Sequence, residues 1–277
     1  MILSPYFGAV IFRCLDCGFT QTEPVAEEVM RRYYTAKYVK ADEPEMIWQR
    51  QQFARVQTGL VLERFRPSPG SRALDYGSAG YELPRQLAAH FAEVVACDIA
   101  GGADPGVPGI RLTSIEDVDR ERPFDLVVLS HVLEHVADPF ALLTRIHEML
   151  VMDGVLYLEV PNEAEHVKIG LMGKGHVWFF DPHTLRAFVE RHGGFDFTFL
   201  RTDGASVDEY AKAVVEKNCA IFDFERVGSP DGVWIRAFLR KRAGRPVRSR
   251  LTTDAESLLR QLSSTLYFCN ERRNGRA

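Results

Sequence analysis

Two carboxylates flank a run of small residues at a spacing suited to holding a nucleoside. In Ala73-Leu74-Asp75-Tyr76-Gly77-Ser78-Ala79-Gly80-Tyr81-Glu82-Leu83, Asp75 ends an apolar stretch, residues 77–80 form a loop without bulky side chains, and a helix with Pro84 in its first turn is expected next. Small residues let the backbone approach a ligand closely, and the start of a helix adds unpaired N–H donors. Eighteen residues after Gly80 stands Asp98, at the end of Val94-Val95-Ala96-Cys97. A carboxylate there can accept hydrogen bonds from both hydroxyls of a ribose. A tight turn with no ligand would explain the glycines but not the two aspartates.

A second group of reactive side chains is rich in histidine. Ser130 and His131 follow the apolar run 124–129, and His131, Glu134 and His135 share one turn if a helix starts there. The H-x-x-E-H spelling also occurs in zinc peptidases. The end of a sheet strand is the wrong setting for that motif, and a peptidase would leave Asp75 and Asp98 idle. His176, just before Trp178-Phe179-Phe180, is the first candidate for a general base and His135 the second. The bland reading of His176 is a residue closing a loop over an aromatic core. Cys14 and Cys17 form a C-x-x-C pair, but a structural zinc takes four ligands and no second pair accompanies them, so no metal is expected there.

These residues need a scaffold that carries strand ends to one edge. Short apolar runs at 73–75, 94–97, 110–112, 124–129, 155–160, 197–200 and 233–239 alternate with helical patterns at 82–90, 139–150, 184–192 and about 207–219. That alternation predicts an α/β fold with a doubly wound, mostly parallel sheet. Asp138 caps the 139–150 helix, Pro139 opens it, and Gly154 is expected to turn the chain into the next strand. Three segments result: an N-terminal extension over 1–66, with a tyrosine cluster (Tyr33, Tyr34, Tyr38) and a helical pattern ending at Pro67-Ser68-Pro69-Gly70; the main domain over 67–241; and a tail over 242–277. In the tail, Thr253-x-x-Glu256 reads as a capping box for an amphipathic helix.

Composition narrows the class. The 277 residues carry a net charge of −4 and are 46% hydrophobic, an ordinary globular balance. Residues 240–277 hold ten Lys or Arg against three acids, a surplus that leaves −11 for residues 1–239. A nucleic-acid partner is therefore disfavoured. No apolar run reaches the roughly 18–20 residues that cross a bilayer. Five cysteines without an export signal point to reduced thiols, and the protein is expected to be cytoplasmic.

The segments Leu74-Asp75-Tyr76-Gly77-Ser78-Ala79-Gly80-Tyr81-Glu82-Leu83, Val94-Val95-Ala96-Cys97-Asp98-Ile99, 124–139, 153–162 and 176–195 make the chain resemble a class I S-adenosylmethionine-dependent methyltransferase over about residues 72–240. The resemblance is to small-molecule and sugar methyltransferases with an N-terminal zinc-ribbon-like segment, and it implies a seven-stranded Rossmann-like sheet. It implies that Asp75, Gly77, Ser78, Ala79, Gly80 and Tyr81 hold the methionine end of the donor. Asp98 would hold the ribose, and Ile99, Ser114 and Ile115 the adenine, with Ser130 and His131 beside the sulfonium. Ala79 stands where the family has its middle glycine, and Ser114 where it usually has an acid. In sugar C-methyltransferases of this kind the histidine corresponding to His176 is the base. In ubiquinone-pathway O-methyltransferases the stretch corresponding to 131–135 binds a divalent cation through E-x-x-E-H. His131 replaces the first Glu, so no metal ligands are expected.

The resulting expectation is methyl transfer from S-adenosylmethionine to a small-molecule acceptor, a hydroxyl of a sugar or secondary metabolite, by a protein able to form a homodimer. Tyr33, Tyr34 and Tyr38 would lie over the acceptor. Two rivals share parts of the pattern. An NAD(P)-dependent oxidoreductase would show the fuller G-x-G-x-x-G fingerprint, and Asp75 would sit too close to its pyrophosphate. A non-catalytic nucleoside-binding scaffold would account for Ala79 and Ser114 but not for the histidines.

Overall fold

The computed structural model describes residues 2–3, 10–13, 19–22, 28, 31–32, 44–99, 106–163, 175–206, 208–210, 212, 226–244 and 246. Cys14, Cys17, Tyr33, Tyr34, Tyr38, the tail helix and most of the 207–219 pattern lie outside these residues.

The apolar runs become strands because side chains on both sheet faces are buried, which favours near-continuous Val, Leu and Phe. Strands β4 (Arg72–Tyr76), β5 (Glu93–Asp98), β6 (Ile110–Ser114), β7 (Phe124–Ser130) and β8 (Leu150–Pro161) are parallel. Strand β11 (Gly232–Lys241) runs antiparallel to β8 and pairs with β10 (Phe195–Ser206). The seven-stranded order is β10-β11-β8-β7-β4-β5-β6. Successive connections leave β4 in opposite directions, so the crevice between the tips of β4 and β7 is the switch point at which open α/β sheets take ligands.

Helix α1 (Pro44–Arg64) packs Ala54, Leu60 and Val61 into one face of the sheet, with Leu83 and Leu87 of α2 (Glu82–Leu87). Helices α3 (Pro139–Met149) and α4 (Pro182–His192) cover the other face. Asp138 caps α3, accepting from the Ala141 N–H at 2.9 Å behind Pro139. A capping box between Asp181 and Thr184 starts α4 two residues before the expected position, and Gly193 ends it at φ 72°.

Three expectations are corrected. Helix α2 stops at Leu87, not His90, because Ala88–His90 turn with backbone bonds to Pro84, Gln86 and Leu87. Strand β8 begins at Leu150. The expected turn at Gly154 is instead an irregularity inside the strand, where the pairing with β7 jumps from Phe124–Leu150 to Leu126–Val155 and Asp153 takes φ 61°. The N-terminal segment also contributes a small antiparallel sheet: β1 (Ile2–Leu3), β2 (Val10–Arg13), β3 (Thr20–Thr22) and, from far along the chain, β9 (Trp178–Phe179). No helix among the described residues is long and apolar enough to cross a membrane.

Candidate active site

The residues expected to hold the donor lie at the carboxyl ends of β4 and β5. Asp75, buried, pairs in register with Ala96 of β5 and Val128 of β7. The following loop folds back onto β5, with the Gly77 and Ser78 N–H groups donating to the Cys97 carbonyl at 2.8 and 3.1 Å. The Ala79 N–H donates to Asp98 Oδ2 at 2.9 Å, so the loop and the second aspartate are already joined. Gly77 has φ 81°, and a Cβ there would lie 2.4 Å from Val132 Cγ2; only glycine fits between loop and turn. Burial, with the charges of Asp98 and Glu82 added, pushes the Asp75 carboxyl up to about 8.

Ile99 is 40% exposed next to Asp98, an apolar surface open to a flat ring. Ser114 lies at the end of β6, paired with Asp98, and its hydroxyl donates to Asp117 Oδ2 at 2.8 Å. An acid therefore stands at the expected adenine edge, three residues beyond the serine that occupies the family position. Ile115 gives its carbonyl to Arg145. Tyr81 precedes α2 without capping it through its side chain.

The histidine half sits across the loop. His131 is not on a helix: it has φ 54° and precedes a single 3-10 turn, Leu133–His135. Its Nδ1 is 3.4 Å from Glu134 Oε1 and its Nε2 is 3.2 Å from Glu159 Oε1. Burial opposes the imidazolium, yet these two carboxylates raise His131 to about 10. Burial lowers His135 to about 4, keeping it neutral. Burial also works against a charged His176, but Glu163 beside it holds its pKa above the ordinary histidine value.

Segment 175–178 is stitched onto the turn by three hydrogen bonds. His135 Nδ1 meets the Gly175 carbonyl at 3.1 Å, the Val177 N–H donates to the Glu134 carbonyl at 2.8 Å, and Trp178 Nε1 donates to the Val136 carbonyl at 2.6 Å. His176 thereby stacks edge-on against His135, ring centroids 4.5 Å apart, with its Nδ1 on Glu163 Oε2. Glu134, His135 and His176 offer ligand atoms within 4.8 Å of one another. His176 comes to this pair from a segment forty residues away in sequence. The bland reading puts Trp178 and Phe180 in the core: Phe180 is buried there and Trp178 packs half-buried against it, while Phe179 is buried beside Ile11 and His176 joins the cluster.

A buried network supports this floor. Glu159 accepts from Arg236 Nε at 2.6 Å, Tyr157 Oη at 2.6 Å and Gln57 Nε2 at 2.9 Å, and Arg236 Nη1 reaches Asp203 Oδ2 at 3.1 Å. Gln57 also donates to Ser130 Oγ at 2.8 Å, and Phe53 lies edge-on to His131. Sequence reasoning missed Gln57, Glu159, Glu163 and Arg236. Gln57 carried a faint signal, a polar residue one turn after Phe53 on the apolar side of a helix. Glu163 also carried one, an acid just past a strand end.

A family model described as "Methyltransferase domain" matches residues 48–196. The ubiquinone biosynthesis O-methyltransferase of Xylella fastidiosa (strain 9a5c) is 32% identical over 154 residues, 46% of this chain and 62% of that protein. Its counterpart from Xanthomonas campestris pv. campestris (strain B100) is 34% identical over 108 residues, 35% and 45% of the two chains. The chain thus spans less than two thirds of the length of these relatives. Two solved structures share the fold. The N-methyltransferase NodS from Bradyrhizobium japonicum WM9, in complex with S-adenosylhomocysteine, has a TM-score of 0.50 at 16% identity, over 76% of this chain and 98% of that one. The magnesium protoporphyrin IX methyltransferase from Synechocystis PCC 6803, with bound S-adenosylhomocysteine, has a TM-score of 0.51 at 14% identity, over 78% and 100%. With more than half of its length inside the methyltransferase domain and the sheet order that goes with it, the chain belongs to the class I S-adenosylmethionine-dependent methyltransferases.

Proposed function

We propose that the protein holds S-adenosylmethionine along Asp75, residues 77–81 and Asp98 and transfers its methyl group to a hydroxyl of a small polar acceptor, a sugar or secondary metabolite. The products are the methyl ether and S-adenosylhomocysteine. The carrying observation is the contact of the two halves: Gly77 of the donor loop lies directly against Val132 of the turn that bears the histidines. The turn that touches the donor loop carries His135, and His176 packs on His135, so the histidines belong to the element beside which a sulfonium held by the loop would meet an acceptor for in-line displacement. Such alignment supplies about 7–11 kcal/mol of the barrier. The acceptor proton leaves at the histidine cluster, His176 being the primary group and His135 the second. The relatives named as O-methyltransferases favour oxygen as the accepting atom.

Calorimetry with S-adenosylmethionine, S-adenosylhomocysteine and NAD tests the donor. Binding of the two sulfur nucleosides and not of NAD is expected, and the reverse pattern overturns the reading. A panel of sugar and phenolic acceptors, read as S-adenosylhomocysteine formed, then identifies the acceptor class. His176→Ala should lower turnover at least about 100-fold while donor binding stays intact; unchanged turnover removes His176 from the reaction.

A further inference from the structure

We propose that Glu163 is the positioning residue of the proton-accepting step, holding the His176 ring by Nδ1 so that the far nitrogen, Nε2, is the one that serves as base. The inference rests on the reading that His176 takes the acceptor proton.

The pair is built by the backbone on both of its sides. Strand β8 ends at Pro161, and the chain beyond it is tied to the segment that follows His176: Asn162 bridges to Phe180, and the Glu163 N–H donates to the Phe180 carbonyl at 2.9 Å. Asn162 is fixed in turn, its N–H on the Val233 carbonyl at 2.8 Å and its side-chain amide on the Gly232 carbonyl at 2.9 Å. On the histidine side, the Thr22 N–H donates to the Val177 carbonyl at 2.9 Å, and β3 pairs with β9 just beyond. Bonds from Gly175, Val177 and Trp178 to the 134–136 turn hold a third side. Backbone contacts thus fix the chain around His176 and leave the side chain to be set by what it touches, and buried Glu163 meets it through Oε2.

A carboxylate can only accept, so the contact to Glu163 puts a proton on Nδ1 of His176, and the neutral ring then carries its lone pair on Nε2. That nitrogen makes no hydrogen bond among the described residues, and the side chain keeps 11% of its surface exposed. A carboxylate behind an imidazole selects the tautomer that can take a proton and stabilises the imidazolium that results. Glu134 also faces the ring, but its carboxylate hydrogen-bonds to neither ring nitrogen of His176. The charges of Glu163 and Glu134 favour the imidazolium, that of His131 opposes it, and His135, packed on the ring, is kept neutral by burial. If the pair only clasped the chain between its members, a neutral hydrogen bond would do as well as a charged one, and Gln would serve at position 163.

The test uses the full chain labelled with isotopic histidine, and its first readout is the ring-nitrogen magnetic resonance spectrum of His176, assigned by its loss in His176→Gln. In the neutral ring the proton is expected on Nδ1 and not on Nε2. Glu163→Gln should lower the pH at which the imidazolium loses its proton by about one to three units. Because an amide can also donate to Nδ1, it should move neutral rings toward the other tautomer. The second readout is S-adenosylhomocysteine formed with a panel of sugar and phenolic acceptors. Glu163→Gln should lower kcat about 100-fold with KM nearly unchanged, and the acidic limb of the pH profile should move down together with the spectrum. Glu163→Asp, which keeps the charge at shorter reach, should recover about tenfold of that loss, and unchanged S-adenosylhomocysteine binding reports that each variant is folded. The proposal is overturned if neutral His176 carries its proton on Nε2, if Glu163→Gln moves neither tautomer nor titration, or if Glu163→Gln turns over like the wild type while His176→Ala does not. Normal turnover in His176→Ala would instead overturn the base reading, a failure told apart from this one because the spectra need no acceptor.

Discussion

Burial lifts Asp75 to about 8, so in the free protein at pH 7 its carboxyl is mostly protonated. A donor bearing a sulfonium and an ammonium group favours the carboxylate. Binding is therefore expected to release protons at pH 7 and to tighten as pH rises toward 8. Calorimetric enthalpies at pH 7 should differ between phosphate and Tris, and Asp75→Asn should remove the difference; equal enthalpies for the wild type would mean that Asp75 is already ionised. The same shift acts on stability. The folded state binds more protons than the unfolded chain between about pH 4 and pH 8, so this group makes the fold less stable as pH rises through that window. Ala79 offers a second residue-scale prediction. It holds φ 50° where the family places glycine, a conformation costing an L residue about 1–2 kcal/mol. Ala79→Gly should raise Tm by about 2–4 °C in thermal unfolding, since the backbone already has the shape that glycine prefers. A lower Tm would mean that the alanine methyl has packing of its own.

At the scale of elements, the carboxyl end of β8 is locked to the antiparallel β11 by a buried ion pair in register, Arg236 against Glu159, extended to Asp203 near the end of β10. Removing one partner leaves charges buried and uncompensated, so Arg236→Met is expected to cost about 3–5 kcal/mol by denaturant unfolding. Because Glu159 also holds His131 and Gln57, donor binding should weaken along with stability. A loss below about 1 kcal/mol would show that water reaches the network. The strands of this edge were legible in sequence because their alternation of apolar runs and helices is local. The pairing of Thr20 with Phe179 was not, since two- and three-residue strands carry no period and their partners lie far apart in sequence. The same nonlocality hid the cluster: Asp75, the glycine loop and Asp98 are read along one continuous stretch, whereas His176 meets His135 only because 175–178 is laid along the 134–136 turn. Glu163 and His176 look unrelated in the sequence, and their pairing depends on where the chain returns.

For the whole molecule, the proposed donor site is built from the ends of β4 and β5 and from the loop that leaves β4 and hydrogen-bonds to β5, so ligand binding is expected to couple to the stability of the central sheet. A ligand that binds only the folded state adds about 2.7 kcal/mol at a hundred times its Kd. For a domain of this size, that corresponds to a rise in Tm of roughly 5–10 °C. S-adenosylhomocysteine at that concentration should produce such a shift in a thermal melt, whereas NAD at the same concentration should produce none. The comparison is informative because both ligands carry adenosine, so a ribose and an adenine on Asp98 and Ile99 alone would stabilise the protein equally with either. Selectivity must come from the other end of the ligand. There Asp75 and the short 77–80 loop would accommodate an amino-acid chain bearing an ammonium group, which favours the ionised Asp75, while the two phosphates of a dinucleotide would gain nothing from a buried carboxyl and would face Asp98. Equal shifts would remove that charge argument and return the site to a generic adenosine crevice.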